Sequence, residues 1–186
     1  MRIPLAMWAA ASIAVAAAVA QAATFTLSSP TIKPNATLTD AQVFNGFGCT
    51  GKNISPALKW SGAPKDTKSY AITVYDPDAP TGSGWWHWVL INLPATTTEL
   101  PEGAGAADSK VLPAGAMQGR TDFGAPGFGG ACPPKGDQPH RYIFTVYALK
   151  TDKLEVPSDA SPALIGFMIN ANKLRAATFT AKFGRK

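Results

Sequence analysis

The sequence predicts one mostly β domain, which we expect to be a β-sandwich with a single helix near the C-terminus. Four segments have the alternating or doubly apolar pattern that is typical of strands, and connections rich in Gly and Pro separate them. Only one segment has helical periodicity. A chain of 186 residues suits one domain with a sizeable core.

The first element of the chain is typical of a secretory signal. Arg2 is followed by a run rich in Ala and Val, and the small residues Ala20 and Ala22 fit the cleavage rule. We expect a signal peptide over 1–22, cleavage after Ala22, a domain over 23–186 and a periplasmic or secreted location. An uncleaved anchor is the alternative, because the apolar run approaches the roughly 20 residues that a bilayer crossing needs.

The predicted strands occur in the order Thr24 to Ser28, Ser69 to Tyr75, Trp86 to Leu93 and Arg141 to Leu149. The first two alternate in polarity, whereas the last two are apolar on both faces, as expected of central strands that are covered from both sides. Between them, Gly115 to Gly136 is a long Gly- and Pro-rich loop. A loop of that length in a compact domain is usually functional, so we expect it to form a wall of a site.

The predicted helix begins after Ser161 as N-cap, with Pro162 at the first helical position. Its apolar residues at spacings of three and four are Leu164, Phe167, Met168, Ala171 and Leu174. This stripe predicts a helix that packs on a sheet through that face. After it we expect only a short tail from Phe179 to Lys186.

Charge and missing motifs exclude several classes of function. The net charge of +5 favours anionic partners, yet the basic residues are scattered, and only Lys182 to Lys186 is dense. This distribution argues against a nucleic-acid interface, which needs basic residues on one face. The sequence has no Walker loop, no HExxH and no Gly-x-Gly-x-x-Gly that opens a helix after a strand.

The chain contains two cysteines, Cys49 and Cys132. In an oxidising compartment such a pair is more often bridged than free. A bridge between them would close a loop of about 80 residues and contribute about 4 kcal/mol. A free nucleophilic thiol is the alternative, whereas a metal site is not expected because no CxxC is present.

A stiff acidic turn follows the second predicted strand. Asp76 and Asp78 alternate with Pro77 and Ala79 and precede Pro80, and proline restricts both its own backbone and that of the preceding residue. Such a turn holds a carboxylate in place. The alternative is an ordinary rigid turn with solvated acids.

The two histidines of the chain, His87 and His140, occur in matching contexts. Each lies at the beginning of an apolar strand and next to a Gly- or Pro-rich loop. If the two strands are neighbours, both imidazoles face one cleft, close to Asp76. The alternative is that each histidine is only a satisfied hydrogen-bonding residue.

Such a cluster suits the binding of a small oxyanion. Neutral imidazole N–H groups and backbone N–H groups of a Gly-rich loop would hold a group such as phosphate. Asp76 would fix a histidine tautomer or accept an ammonium group. A metal set of Asp76, His87 and His140 is an alternative. Catalysis is not expected, because the chain has no Gly-x-Ser-x-Gly nucleophile, although an Asp–His base remains an alternative.

Several motifs resemble those of the phosphatidylethanolamine-binding proteins, also called Raf kinase inhibitor-like proteins. The blocks are Asp76-Pro77-Asp78-Ala79-Pro80, Trp86-His87-Trp88, Pro133-Pro134-Lys135-Gly136 and His140-Arg141-Tyr142. The framing segments Gly46-Phe47-Gly48-Cys49, Asn53-Ile54-Ser55-Pro56 and Gly119 to Gly124 are similar to the bacterial branch. The resemblance covers nearly the whole chain after the signal.

The resemblance implies a β-sandwich with an anion pocket at one end. By motif, the ligand-binding residues would be Asp76, His87, Pro134 and His140. Supporting roles would belong to Asp78, Pro80 and Trp86. The bacterial branch also implies a Cys49–Cys132 disulfide that tethers the pocket loop.

The function expected from all this is that of an exported binding protein for phosphate-like, carboxylate or phospholipid head-group anions, without catalysis, cofactor or metal. Contact with a membrane surface and a protein partner stay open. Two alternatives are an inhibitor of a partner enzyme such as a protease, and an Asp/His-dependent hydrolase. The segment from Ala176 to Lys186 does not match the C-terminal helix and aromatic gate of eukaryotic members.

Overall fold

The computed structural model describes residues 24–186, so the predicted signal peptide lies outside the described residues. The described chain forms three layers: a three-stranded sheet, a five-stranded sheet and one α-helix. The mostly β class and the helix near the C-terminus are thus confirmed. Among these residues no helix has the length and apolar character that a bilayer crossing would need.

The ten strands of residues 24–186 are β1 Thr26–Ser28, β2 Asn45–Gly46, β3 Cys49–Thr50, β4 Leu58–Ser61, β5 Ser69–Asp76, β6 Trp85–Pro94, β7 Glu99–Leu100, β8 Met117–Gln118, β9 His140–Leu149 and β10 Lys173–Phe183. A 3-10 turn covers Asp40–Gln42, and the helix α1 covers Pro162–Asn172. The four predicted strands correspond to β1, β5, β6 and β9, with ends that differ by one or two residues.

The large sheet has the order β10-β9-β5-β6-β8 and the small sheet the order β1-β4-β7, with antiparallel pairing throughout both. Strands β2 and β3 form a separate two-stranded hairpin. β5 lies between β6 and β9, so the two strands that carry the histidines are not direct neighbours. The prediction that both imidazoles face one cleft had assumed that these strands are neighbours. The antiparallel order nevertheless brings the start of both strands to the end of β5.

The main core lies between the two sheets. Alternate residues of the large sheet, such as Ile72 and Phe144, pack there against Leu58 and Trp60 of the small sheet. The opposite face of the large sheet is covered by α1. This double coverage explains why the two longest predicted strands are apolar on both faces.

The prediction of the helix start is confirmed, but that of its buried face is wrong. Ser161 accepts a hydrogen bond from the backbone N–H of Leu164 over 3.2 Å, and Pro162 occupies the first helical position. The residues buried on the sheet are Ile165 and Ile169, each 1% exposed. Of the predicted stripe only Met168 packs beside them, whereas Phe167 is 67% exposed. The predicted stripe failed because the helix is apolar around most of its circumference, so that periodicity alone selects no face.

The predicted short tail is also wrong. Residues 173–183 form β10, which pairs with β9 along its whole length, from Lys173 opposite Leu149 to Phe183 opposite His140. Leu174, assigned to the helical stripe, therefore lies in this strand. The consequence for the site is that the C-terminal residues are carried to the same end of the sheet as the histidines.

Candidate functional site

One end of the large sheet forms a cavity of about 210 Å³. All four residues that the sequence assigned to a ligand, Asp76, His87, Pro134 and His140, line it. Asp76 is the last residue of the central strand β5, and His140 is the first residue of β9. The antiparallel arrangement of β6, β5 and β9 therefore brings three distant segments to one place.

His87 reaches the cavity through a β-bulge. Trp88 pairs with Val74 and Trp86 pairs with Tyr75, which leaves His87 as an extra residue on β6. Trp88 faces the main core, whereas Trp86 packs on the opposite face with the helix. Bulges redirect side chains, and here the His87 ring turns to the core side, where its centroid lies 5.0 Å from that of Tyr142.

Asp76 is buried and has a hydrogen-bond partner on each oxygen. Its Oδ2 accepts from Nδ1 of His140 over 2.7 Å, and its Oδ1 accepts from the backbone N–H of Asp78 over 2.8 Å. The side chains of Asp76 and His140 are only 3% and 4% exposed. The acidic turn is thus a buried anchor for one imidazole, and not a turn with solvated acids.

The supporting residues fall into two groups. Asp78 lies outside the cavity lining and accepts from Nε, Nη2 and the backbone N–H of Arg141, at 2.9, 2.6 and 2.8 Å. The Arg141 guanidinium lowers the pKa of Asp78 to about 2. Asp78 therefore ties the turn to β9. Pro80 lines the cavity itself. Trp86 does not line the cavity, because its side chain packs on the face of the large sheet that α1 covers.

His87 donates its Nδ1–H to the carbonyl oxygen of Gly129 over 2.8 Å, since a carbonyl can only accept. The long Gly-rich loop therefore forms a wall of the site, as expected, and Gly129 leaves room there for the ring of Phe123. Burial lowers the pKa of the His87 imidazole, and the backbone carbonyl of Gly129 and the charge of Asp76 oppose this shift. The expectation that His87 presents an N–H to a ligand is thus wrong for the neutral ring, whose Nδ1–H is already bonded.

Tyr142 was not among the residues that the sequence assigned to a ligand or to their support. It lines the cavity, is 1% exposed, and its hydroxyl has no hydrogen-bond partner among residues 24–186. Burial raises the pKa of this phenol, so the group keeps its proton. The signal that could have identified it is its position two residues after His140, because alternate residues of a strand share one face.

The predicted disulfide between Cys49 and Cys132 is present. It joins the start of β3 to the loop that carries Pro134. A second tie comes from Arg185, which donates from Nε to the carbonyl oxygen of Pro133 over 2.7 Å and from Nη1 to that of Gly48 over 3.0 Å. The sequence did not indicate Arg185, because it reaches the site only through the unpredicted strand β10.

The mouth of the cavity is aromatic. Phe47 is 68% exposed and stacks on Phe123 with ring centroids 5.9 Å apart, and Trp85 meets Phe123 edge to face. Phe47 has a positive φ of 51° and is followed by Gly48 at 77°, so a tight turn projects the ring outward. The polar floor of the cavity is therefore reached through an apolar rim.

The donor set does not form a metal cluster. Within residues 24–186 no group of three or more His, Cys, Asp or Glu side chains is placed to hold a metal ion. Asp76 and His140 are instead bonded to each other, and His87 is bonded to a backbone carbonyl.

Comparison with known proteins gives consistent matches along the chain. The family model for phosphatidylethanolamine-binding protein matches residues 28–184. The UPF0098 protein YbcL of Escherichia coli strain K12 is 62% identical over 161 residues, which cover 87% of this chain and 88% of YbcL. The UPF0098 protein YbhB of the same strain is 54% identical over 141 residues, which cover 76% of this chain and 88% of YbhB.

Solved structures agree with these matches. The crystal structure of E. coli YbcL, described as a new member of the mammalian PEBP family, has a TM-score of 0.86 at 59% identity and covers 88% of this chain and 100% of that one. The phosphatidylethanolamine-binding protein homolog CT736 from Chlamydia trachomatis has a TM-score of 0.72 at 26% identity and covers 87% of this chain and 98% of that one. YbcL thus matches this chain both in sequence and in fold over the greater part of its length.

Proposed function

The chain belongs to the phosphatidylethanolamine-binding protein family, and we propose that it is an exported protein that binds a small anionic ligand. The proposal rests on this membership and on the geometry of the cavity. The ligand would contact Asp76, His87, Pro134 and His140. The ligand class is a phosphate-like or carboxylate group, with phospholipid head groups as the specific candidates.

The observation that carries the proposal is the set of buried polar groups around one small cavity. An unpartnered buried hydroxyl costs about 1–3 kcal/mol. Within residues 24–186 Tyr142 has such a hydroxyl, and its ring lies next to that of His87 in a cavity that His140 also lines. A bound oxyanion would accept its hydrogen bond. The volume of about 210 Å³ suits a head group and not a whole lipid.

The aromatic rim supports a ligand with an apolar part. A phosphate with a glycerol and acyl portion would place its charge near His87 while its apolar part lies against Phe47 and Trp85. The exposed ring of Phe47 would also contact a membrane surface from which such a head group projects, since aromatic side chains favour the interface between water and lipid.

We further propose binding without turnover. Among the residues that line the cavity, the hydroxyl of Thr81 donates to the carbonyl oxygen of Gly84, and Cys132 is held in a disulfide. Neither side chain is prepared as a nucleophile. Hydrolysis of a phosphomonoester that is lost in His87→Ala and survives a chelator would contradict this part of the proposal.

Export is supported by the pattern of residues 1–22 and by the disulfide, because disulfides persist in oxidising compartments. Mass spectrometry of the protein from the periplasm or medium of an expressing bacterium tests it. We expect a mature N-terminus at Ala23, and retention of residues 1–22 in a membrane fraction would contradict the proposal.

The binding proposal is tested by NMR titration of the purified protein with inorganic phosphate and with phosphoethanolamine. We expect the imidazole signals of His87 and His140 to shift together, and the affinity to fall at least about tenfold in His87→Ala and in His140→Ala. Equal affinity in both folded variants would remove the assignment of this pocket.

A further inference from the structure

We propose that the pocket selects an oxyanion that carries a hydroxyl, such as the monoanion of phosphate or of a phosphomonoester, over a fully deprotonated oxyanion such as sulfate. His87 would be the residue that makes this selection, by accepting a hydrogen bond from the ligand at Nε2. The inference rests on the proposed function, because it specifies which anions the same pocket binds.

The first step concerns the two nitrogens of His87. The Gly129 carbonyl oxygen accepts from Nδ1 over 2.8 Å, so in the neutral ring the proton lies on Nδ1. Nε2 then carries a lone pair and can only accept. No side chain or backbone group of residues 24–186 donates to Nε2, and the ring lines the cavity.

The second step concerns the charge of this ring. The carboxylate of Asp76 on β5 and that of Asp122 in the loop both favour its protonated form, as do the backbone groups of Gly129 and Gly130. Burial of the ring, which is 4% exposed, outweighs them and lowers its pKa. The rings of Tyr142 and Phe123 pack against it edge to face and add no charge. A neutral acceptor is therefore the form that meets a ligand near neutral pH.

The third step concerns the other polar groups of the pocket. Both oxygens of Asp76 already accept, from His140 and from the backbone of Asp78. The hydroxyl of Tyr142 has no partner in the part of the chain that the structure describes, so it can donate to a ligand. One donor and one acceptor thus lie on adjacent rings, whose centroids are 5.0 Å apart.

The ligand that complements this pair has one charged oxygen and one hydroxyl. Its charged oxygen accepts from Tyr142, and its hydroxyl donates to Nε2 of His87. Sulfate has no hydrogen at neutral pH, so its oxygen would face a lone pair, or His87 would have to take up a proton against the effect of burial. Unpaired buried groups discriminate strongly between close analogues.

The phosphate complex therefore contains one proton more than the free protein and the phosphate dianion together. A phosphomonoester loses its second proton near pH 6. Above that pH we expect the affinity for total phosphomonoester to fall by up to about tenfold per pH unit, because the binding form becomes scarce.

The experiment is calorimetric titration of the full mature chain with inorganic phosphate, phosphoethanolamine and sulfate, each in two buffers with different ionisation enthalpies. We expect phosphate and phosphoethanolamine to bind at least about tenfold more tightly than sulfate. We also expect uptake of close to one proton per dianion bound, increasing toward higher pH.

Two variants distinguish the roles. In His87→Gln the side-chain amide both donates and accepts, so we expect the preference for phosphate over sulfate to fall severalfold. In Tyr142→Phe we expect weaker binding of both anions with the preference retained. Near-ultraviolet circular dichroism and NMR dispersion verify that both variants are folded.

Three outcomes contradict the inference. Equal affinity for phosphate and sulfate without proton uptake would show that His87 donates, which overturns the inference and leaves anion binding intact. Retention of the full preference in His87→Gln would assign selection to another group. Absence of binding by every oxyanion, or binding of ethanolamine alone, would overturn the proposed function and the inference with it.

Discussion

Nδ1 of His140 lies 2.7 Å from Oδ2 of Asp76, and both side chains are almost completely buried. The two residues are 64 positions apart and belong to adjacent strands of the large sheet. This contact joins the acidic turn to the start of β9, next to the exposed Asp78–Arg141 pair that joins the same two segments.

Asp76→Asn should destabilise the fold by about 2–4 kcal/mol, because an amide cannot accept from both His140 and the backbone of Asp78. Urea unfolding measures this change in free energy. The matched control is Asp137→Asn, since Asp137 is 42% exposed and its Oδ2 lies 3.4 Å from Nε2 of His140; we expect less than about 0.5 kcal/mol there. Equal effects in the two variants would contradict the central role of Asp76.

The stability of the protein should depend on pH through His87. Burial lowers the pKa of this imidazole in the folded state, so as the pH falls below about 6.5 the unfolded chain takes up a proton that the folded chain does not. The free energy of unfolding should therefore decrease from pH 7 toward pH 5, by up to about 1.4 kcal/mol per pH unit.

The comparison for this prediction is His87→Phe, which has no proton to take up at this position. Its absolute stability should be lower because the hydrogen bond to Gly129 is lost. The informative quantity is the slope, which should be flatter than in the wild type over the same pH interval. Parallel slopes for the two proteins would show that His87 does not titrate differently in the folded and unfolded states.

Replacement of Cys49 and Cys132 together by Ser should lower the free energy of unfolding by about 2–5 kcal/mol. The bridge joins residues 83 positions apart, so it restricts a long loop of the unfolded chain. Denaturant unfolding of the variant, compared with the oxidised wild type, measures the loss. The wild type under a reductant should approach the variant. A reduced wild type that keeps its full stability would contradict this account of the bridge.

Arg185→Ala should loosen the rim of the cavity without unfolding the domain. Its guanidinium bonds the carbonyl oxygens of Pro133 and Gly48, so the loss should shift the amide signals of Gly48 and Lys135 and weaken phosphate binding severalfold. Lys186→Ala is the control, because it removes a neighbouring positive charge that is exposed. If both variants weaken binding equally, charge and not the two hydrogen bonds is responsible.

Ile165→Ala should destabilise the protein by about 2–4 kcal/mol, whereas Phe167→Ser should change its stability by less than about 0.5 kcal/mol. The reason is that Ile165 is 1% exposed under the large sheet and Phe167 is 67% exposed. Thermal or urea unfolding of both variants distinguishes the two faces of the helix. A larger loss of stability in Phe167→Ser than in Ile165→Ala would instead support the buried face that the sequence predicted.

Local patterns were sufficient for much of the architecture. The alternation of residues 69–75 and the doubly apolar runs of β6 and β9 predicted three strands of the large sheet, because strand geometry repeats every two residues. Ser161 and Pro162 predicted where the helix begins, since capping depends on neighbouring residues alone. The motifs around Asp76, Pro134 and His140 also identified residues that the structure brings to one cavity.

Other features depend on contacts between distant segments. Packing on the large sheet decided which face of α1 is buried. Pairing with β9 decided that residues 173–183 form the strand β10. Arg185 reaches Pro133 only because that pairing carries the C-terminus across the sheet.

The short-range order of the chain thus determined strands β1, β5, β6 and β9, the start of the helix and the four residues assigned to a ligand. Tertiary structure decided their directions: the bulge in β6 that turns His87 toward Tyr142, and the Gly129 carbonyl that occupies its Nδ1–H. The physical reason is that register, bulges and hydrogen-bond partners depend on the pairing of residues far apart in sequence, where a shift of one position reverses the face of a side chain.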